Sequence, residues 1–357
     1  MKNLNAPFIT RLVLIFFLYG IFLTACDSTA PETSPPSPIS NETGSPATET
    51  QQPTETLTQP PSATSPPSRV VLVVPPAADP AQADALQSAL AELSAAEDLE
   101  FEVQPALAPG NLTPALRLVV ALPPDPGLAS LAAAAPDVQF LGIGIPGLAP
   151  AANLSLIGTQ GASPDQQGFL AGYLAAVVTP EWRTAVMSVS DTLSGIAARQ
   201  GFLNGVVYFC GLCRQTYPPF YTYPMYVELP GGASPAEWQA AADVLKDKFV
   251  QTVYLAPGAG DETPLTSLAE AGLQLIGSQT PPAAMQAAWI ATVGPDYITP
   301  LHTIWPDLMK GAGGADLPAA LAISDINPEL LSPGRQRLVE ELNRELQSGF
   351  IDTGVAP

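Results

Sequence analysis

Few residues in this 357-residue chain could take part in covalent chemistry, since it has three cysteines and one histidine. Cys210 and Cys213 are spaced Cys-x-x-Cys, a pattern found in redox pairs, half zinc sites and small disulfides. The sequence has no second cysteine pair and no nearby histidine to complete a tetrahedral zinc site. A redox pair would follow an early strand of a thioredoxin-like unit, whereas this pair follows a predicted helix. We therefore favour a structural disulfide, which requires an oxidising compartment.

The sequence offers no series of catalytic groups. His302, the single histidine, lies in a helix-like stretch without a nucleophile elbow nearby, so it is a poor member of a Ser-His-Asp triad. The glycine-rich stretches GIGIPG (142–147) and APGAGDETP (256–264) lack the features of phosphate loops. We interpret both as strand-to-helix turns, and we predict that the protein is not an enzyme and needs no metal or cofactor.

The third cysteine, Cys26, directly follows a predicted N-terminal export signal. Lys2 and Arg11 lead into an apolar run at 12–25, which is shorter than the ~20 residues of a membrane-spanning helix. Leu23, Thr24 and Ala25 before Cys26 resemble the bacterial lipobox. That resemblance implies that residues 1–25 are removed and that the Cys26 sulfur carries the lipid, with palmitate among its acyl chains. Two or three acyl chains would hold the protein stably on the extracytoplasmic side of the cell membrane.

A tract at 26–68 separates this anchor from the rest of the chain. Residues 27–68 contain 27 Pro, Ser or Thr among 42 and no Lys or Arg. Such a composition buries too little apolar surface to fold, so we predict a disordered linker. The chain as a whole has a formal net charge of -20, which argues against nucleic acid as a partner because phosphates are bound by Lys and Arg.

The remaining residues, 69–357, alternate between strand-like and helix-like patterns. Short runs such as RVVLVVP (69–75) are apolar on both faces, and they are separated by helical stretches such as SPAEWQAAADVLKDKF (234–249). This alternation predicts an α/β fold with doubly wound, mainly parallel sheets. A body of this length favours two lobes over one sheet, with an eight-fold barrel as the rival architecture.

Several stretches in order resemble the basic membrane protein (BMP) lipoproteins, the PnrA-like group of substrate-binding proteins. The segments that carry the resemblance are DQQGFLAGYLAAVVT (165–179), VMSVSDTLSGIAARQGFLNGVVYF (186–209), VYLAPGAGDETPLTSLAEAGLQLIGSQ (253–279) and the closing segment from Ser324 to Val355.

The resemblance implies a periplasmic-binding-protein type I fold with two hinged lobes. Lobe 1 would comprise about 69–178 and 287–320, and lobe 2 about 179–286 and 321–352. Such a protein captures a small solute between its lobes and delivers it to the permease of an ABC importer. Known members favour purine nucleosides.

Three departures leave the ligand class open. The polar first-lobe segment of the family is replaced here by PPAADPAQADA (75–85). The acid expected to hold ribose hydroxyls is replaced by Gln279, and the Lys expected after the next strand is absent from TVGPDY (292–297). An alternative is therefore a sensor or interaction protein that keeps the scaffold with a degraded cleft.

Candidate ligand-binding residues are those that match the family's strand-end loops. They are Asp191, Thr192, Gly258, Asp261, Ser278 and Gln279. Trp182, Tyr254 and Trp289 could stack a base, although burial in the core is the more common use of such residues.

Overall fold

A computed structural model describes residues 67–260 and 262–356. The predicted signal, Cys26 and most of the predicted linker therefore lie outside the described residues. Eleven strands alternate with eight helices along the described chain, which confirms the predicted α/β alternation. The strands are β1 (Arg69–Val73), β2 (Glu100–Gln104), β3 (Leu116–Ala121), β4 (Gln139–Ile143), β5 (Leu154–Gly161), β6 (Thr184–Val189), β7 (Met225–Leu229), β8 (Thr252–Leu255), β9 (Gln274–Gly277), β10 (Trp289–Asp296) and β11 (Asp316–Ser324). The helices are α1 (Pro80–Ala96), α2 (Leu128–Ala134), α3 (Pro164–Val178), α4 (Leu193–Cys210), α5 (Pro235–Asp247), α6 (Glu262–Glu270), α7 (Ile298–Met309) and α8 (Pro333–Gln347).

The strands form one continuous sheet in the order β2-β1-β3-β4-β5-β11-β10-β9-β8-β6-β7. All pairs of neighbouring strands are parallel except β10 with β11. The first part of β11 pairs with β5, where Asp316 lies opposite Leu156, and its second part pairs with β10, where Ser324 lies opposite Thr292. β11 is thus shared between two half-sheets.

Each half-sheet is covered by helices on both faces and forms a lobe. In the first lobe, α1 and α7 bury Leu86 and Trp305 against one face, and α2 buries Leu128 against the other. In the second lobe, α3, α4 and α8 pack on one face, and α5 and α6 pack on the other. Strands covered on both sides are apolar throughout, as in β6, where every residue is buried.

The lobe boundaries that the packing indicates differ from the sequence prediction at α3 and at β10. β10 lies in the predicted first-lobe range 287–320, but it pairs with β9 and packs in the second lobe. α3 was predicted in lobe 1, but it packs against α4 and α8 in the second lobe. The first connection between the lobes therefore lies before α3, near 158–163, rather than near residue 178. α7 packs in the first lobe and α8 packs in the second.

Helices α3 and α4 approach each other unusually closely. Each carries the pattern Gly-Phe-Leu-x-Gly, at 168–172 on α3 and 201–205 on α4. Each of the four glycines faces a backbone carbonyl of the other helix, and a Cβ at any of them would lie 2.0–2.1 Å from that oxygen. Only glycine therefore fits at these positions. None of the helices within the described residues is long and apolar enough to cross a membrane.

Candidate functional site

The site lies where the chain passes between the two lobes. It does so three times: from β5 to α3 near 158–163, from β10 to α7 near 293–297, and along β11. At the first passage, Gly161 has φ +119°, and a Cβ there would lie 2.1 Å from the Ala319 carbonyl oxygen on β11. These three adjacent segments form the floor of a cleft between the lobes.

The cleft has a volume of about 760 Å³ and contains side chains from both lobes and from the connecting segments. This volume lies within the range of small-molecule sites. The polar lining residues are Asp79, Gln82, Gln167, Ser278, Gln279, Thr280, Thr292, Asp296, Tyr297, Ser324 and Asp325.

The first lobe contributes a polar group around Tyr297. The Tyr297 ring packs on the backbone of Gly158, where a Cβ would come within 2.6 Å of the ring. Its hydroxyl lies beside Gly144 at the end of β4, and Gln82 Nε2 is close to the same point. Burial raises the pKa of the Tyr297 phenol, and the negative charge of Asp79 raises it further. Gln82 Nε2 is buried and has no hydrogen-bond partner among the described residues.

On the second-lobe side of the cleft, a buried threonine links two other side chains by hydrogen bonds. Thr292 Oγ1 accepts a hydrogen bond of 3.0 Å from Trp289 Nε1 and lies 2.7 Å from Asp325 Oδ2. The Thr292 hydroxyl can therefore donate to the Asp325 carboxylate. Gln167 Nε2 donates to the Val293 carbonyl over 2.7 Å, which ties α3 to the end of β10.

Asp296 lines the cleft, but its oxygens serve helix α7. Its Oδ1 accepts hydrogen bonds from Ile298 N and Thr299 N, and its Oδ2 accepts one from Thr299 Oγ1. This is a helix-capping arrangement that satisfies amide groups at the start of α7. Asp296 therefore shapes the cleft and has few lone pairs left for a ligand.

Two of the predicted ligand residues, Ser278 and Gln279, line the cleft at the end of β9. Gly258 follows the lining residue Pro257. Asp191 and Thr192 follow β6 but are not among the lining residues. Asp191 Oδ1 accepts a hydrogen bond from Gly231 N, and Thr192 Oγ1 caps α4 by accepting one from Gly195 N. Asp261 lies outside the described residues.

The aromatic residues singled out in the sequence lie away from the cleft. Tyr254 is fully buried and stacks on Phe202, and Trp289 is buried beneath Thr292. Trp182 packs at the edge of the second-lobe core. Tyr297 is the aromatic residue among those lining the cleft. Its position directly after a strand that connects the lobes was the sequence signal that could have identified it.

Cys210 and Cys213 are joined in a disulfide at the end of α4, as predicted. Arg214 directly follows the bridge, and Cys213 is buried against the second-lobe core. Within 67–260 and 262–356, no group of three or more His, Cys, Asp or Glu side chains is placed to hold a metal ion.

No protein-family model matches the sequence, and no curated protein sequence matches it significantly. Solved structures do match the fold. An ABC transporter solute-binding protein from Conexibacter woesei superposes with a TM-score of 0.62 at 19% identity, over 80% of this chain and 98% of that chain. An ABC transporter solute-binding protein from Aeropyrum pernix superposes with a TM-score of 0.54 at 15% identity, over 82% of this chain and 94% of that chain. A transcriptional activator of the comK gene from Bacillus halodurans superposes with a TM-score of 0.57 at 12% identity, over 79% of this chain and 99% of that chain.

The topology and these likenesses define the fold. The chain has the two-lobed fold of the type I periplasmic binding proteins, with three connecting segments and a cleft between the lobes.

Proposed function

We propose that this protein is the extracytoplasmic solute-binding lipoprotein of an ABC importer and that it holds a small solute in the cleft between its lobes. The observation that carries the proposal is the composition of the cleft. Gln82 and Tyr297 come from the first lobe, Ser278 and Gln279 come from the second, and all four line one cavity. A solute that touches both groups favours the closed arrangement of the lobes.

Closure follows from differential binding. A ligand shifts a two-state equilibrium only if it binds one state more tightly than the other. In an open form, groups on one lobe contact the solute, whereas in a closed form groups on both lobes do. The three connecting segments are the places where a hinge motion would be absorbed.

The finer identity that we propose is a BMP-type lipoprotein anchored through Cys26, with a nucleoside as the first solute class to test. The order of motifs from 165 to 355, the lipobox and the spacer support this proposal. In the cleft, a base could stack on Tyr297, and Ser278 and Gln279 could hydrogen-bond ribose hydroxyls.

The test is calorimetric titration and thermal unfolding of the full chain in a nonionic detergent without a sugar headgroup. Nucleosides, nucleobases, sugars, amino acids and amines would be compared. A ligand present at about 100 times its Kd should add about 2.7 kcal/mol to the free energy of unfolding. Gln279→Ala should weaken binding, whereas Gln251→Ala, an exposed glutamine outside the cleft, should not. A folded protein that binds none of these solutes would contradict the proposal.

The second candidate is a sensor or interaction protein on the same scaffold. The superposition on a transcriptional activator supports keeping it, since that fold occurs in proteins with such a role. A sensor would bind a solute without associating with a permease. Cross-linking of the solute-loaded protein in its own membrane separates the two, because an importer component should be captured together with permease subunits.

A further inference from the structure

The cleft has an uneven charge balance. Its lining contains three carboxylates, Asp79, Asp296 and Asp325, and no Lys, Arg or His. Anion sites in proteins are built from basic side chains or from helix N-termini that are free to donate. No basic side chain lines the cleft. The helix starts at its wall are served by side chains of the protein itself: α7 by Asp296, α1 by Asp79, and α3 by the capping box of Ser163 and Gln166. The cleft is therefore poorly suited to phosphorylated or carboxylated solutes.

The three carboxylates are not equivalent. Asp296 is committed to α7, and Asp79 directly precedes α1, where it accepts a long hydrogen bond of 3.4 Å from Gln82 N. Helix N-termini carry roughly half a positive charge, which offsets part of these two charges. Asp325 directly follows β11 and does not begin a helix. Its Oδ2 lies against Thr292 Oγ1, and no hydrogen bond to its Oδ1 is found within the described residues.

Other features of the described residues agree with a negative potential in this region. The pKa of Tyr297 is raised by burial and then by the charge of Asp79, so that charge is felt inside the cleft. The folded body from 67 to 357 contains 28 Asp or Glu against 11 Lys or Arg. Such an excess attracts cations over long range.

We propose that the solute carries a protonated amine that pairs with Asp325. This inference rests on the proposed solute-binding function and narrows its substrate class. The apolar part of the lining fits the carbon frame of such a solute, since it is formed by aliphatic residues: Ala85, Leu86, Ala162, Pro164, Pro257, Pro295, Ile298, Ala322 and Ile323.

The experiment compares solutes that share a frame and differ in charge. One set is 5′-amino-5′-deoxyadenosine, adenosine and adenosine 5′-monophosphate; the other is 1,5-diaminopentane, 1,5-pentanediol and glutarate. Titrations use the full chain in detergent at low salt. Within the set that binds, the amine should bind about tenfold more tightly than its neutral analogue, since a charge-assisted hydrogen bond is worth about that factor. The anion should bind more weakly than the neutral analogue.

Two variants locate the effect. Asp325→Asn keeps the size and the acceptor for Thr292, so it should fold normally and reduce the preference for the amine. Asp137→Asn removes a charge from an exposed loop outside the cleft and should leave the preference unchanged. Equal loss in both variants would mean that only the net charge of the protein matters, and it would overturn the role of Asp325.

The outcomes separate the two proposals. Tighter binding of the neutral or anionic member would overturn the amine inference while supporting solute binding. No binding by any of the six probes, with a normal unfolding transition, would count against the amine inference. If the wider panel of solutes also failed to bind, the proposed function would fall with it.

Discussion

At the scale of single residues, Tyr254 has a buried hydroxyl whose role in stability can be tested. Its side chain is fully buried on β8, stacked on Phe202 with ring centroids 5.7 Å apart, and its hydroxyl has no hydrogen-bond partner among the described residues. Burying an unpaired hydroxyl costs about 1–3 kcal/mol. The phenylalanine ring would fill the same space without that cost.

We therefore expect Tyr254→Phe to raise the free energy of unfolding by about 1 kcal/mol, measured by urea denaturation. Burial also raises the pKa of Tyr254, so the folded chain keeps a proton that the unfolded chain loses above about pH 10. The contribution of this group is complete below that pH and is lost as the pH rises further. The advantage of the variant should thus grow in alkaline solution.

Tyr223→Phe is the matched control, since the Tyr223 hydroxyl donates to the Lys248 carbonyl. This variant should lose about 1 kcal/mol. An equal loss in both variants would reveal a partner for Tyr254, such as a buried water molecule.

The residues of the cleft show what the sequence can reveal at this scale. Ser278 and Gln279 were predictable because they end a strand that the apolar pattern marks clearly. Asp325 was not, because its approach to Thr292 depends on the antiparallel register of β10 and β11. Gln82 lies on an ordinary helix, and only the neighbouring Tyr297 and Asp79 distinguish it.

At the scale of elements, the α3–α4 pair depends on its glycines. Gly172 faces the Phe202 carbonyl, and a Cβ there would lie 2.1 Å from the oxygen. Gly172→Ala must push the helices apart, and we expect it to lower the free energy of unfolding by about 3 kcal/mol. Gly334→Ala is the control, because this glycine near the start of α8 has no atom within 4 Å of a built Cβ. It should be neutral or gain up to about 1 kcal/mol.

Chemical denaturation of both variants measures these changes in the free energy of unfolding. If Gly172→Ala lowered the free energy of unfolding by less than an ordinary surface substitution does, the two helices would not be held in this close contact. The sequence shows the glycines but not their partners. α3 is apolar almost all round and gives no preferred face, so its pattern alone does not show which lobe it packs in.

At the scale of the whole molecule, the anchor can be tested separately from the cleft. Cys26→Ser removes the proposed lipid attachment point, so the protein should move from the membrane fraction to the soluble extracytoplasmic fraction. Incorporation of labelled palmitate should be lost at the same time. Solute affinity should stay unchanged, since residue 26 is far in sequence from every lining residue. Retention of label in the variant would contradict attachment at this sulfur.

The overall architecture was predictable because alternating buried strands and amphipathic helices admit few arrangements. The joining of the half-sheets into one was not, since it arises from β11, a single strand with partners on both sides. Nothing in its pattern shows that its two ends pair with different lobes.

This sharing of β11 has a consequence for the order of folding. The first lobe begins with β1 but needs α7 and the start of β11, and the second lobe needs α8 to close its core. Contacts between segments so far apart in sequence form slowly, because chain entropy is lost before the contacts compensate for it. A growing chain that ends before α8 therefore leaves the second lobe without one of the three helices that cover one face of its sheet. The molecule reaches its native state only after nearly all of its sequence has been synthesised. Such a delay would suit the proposed export, because the chain could cross the membrane before it folds.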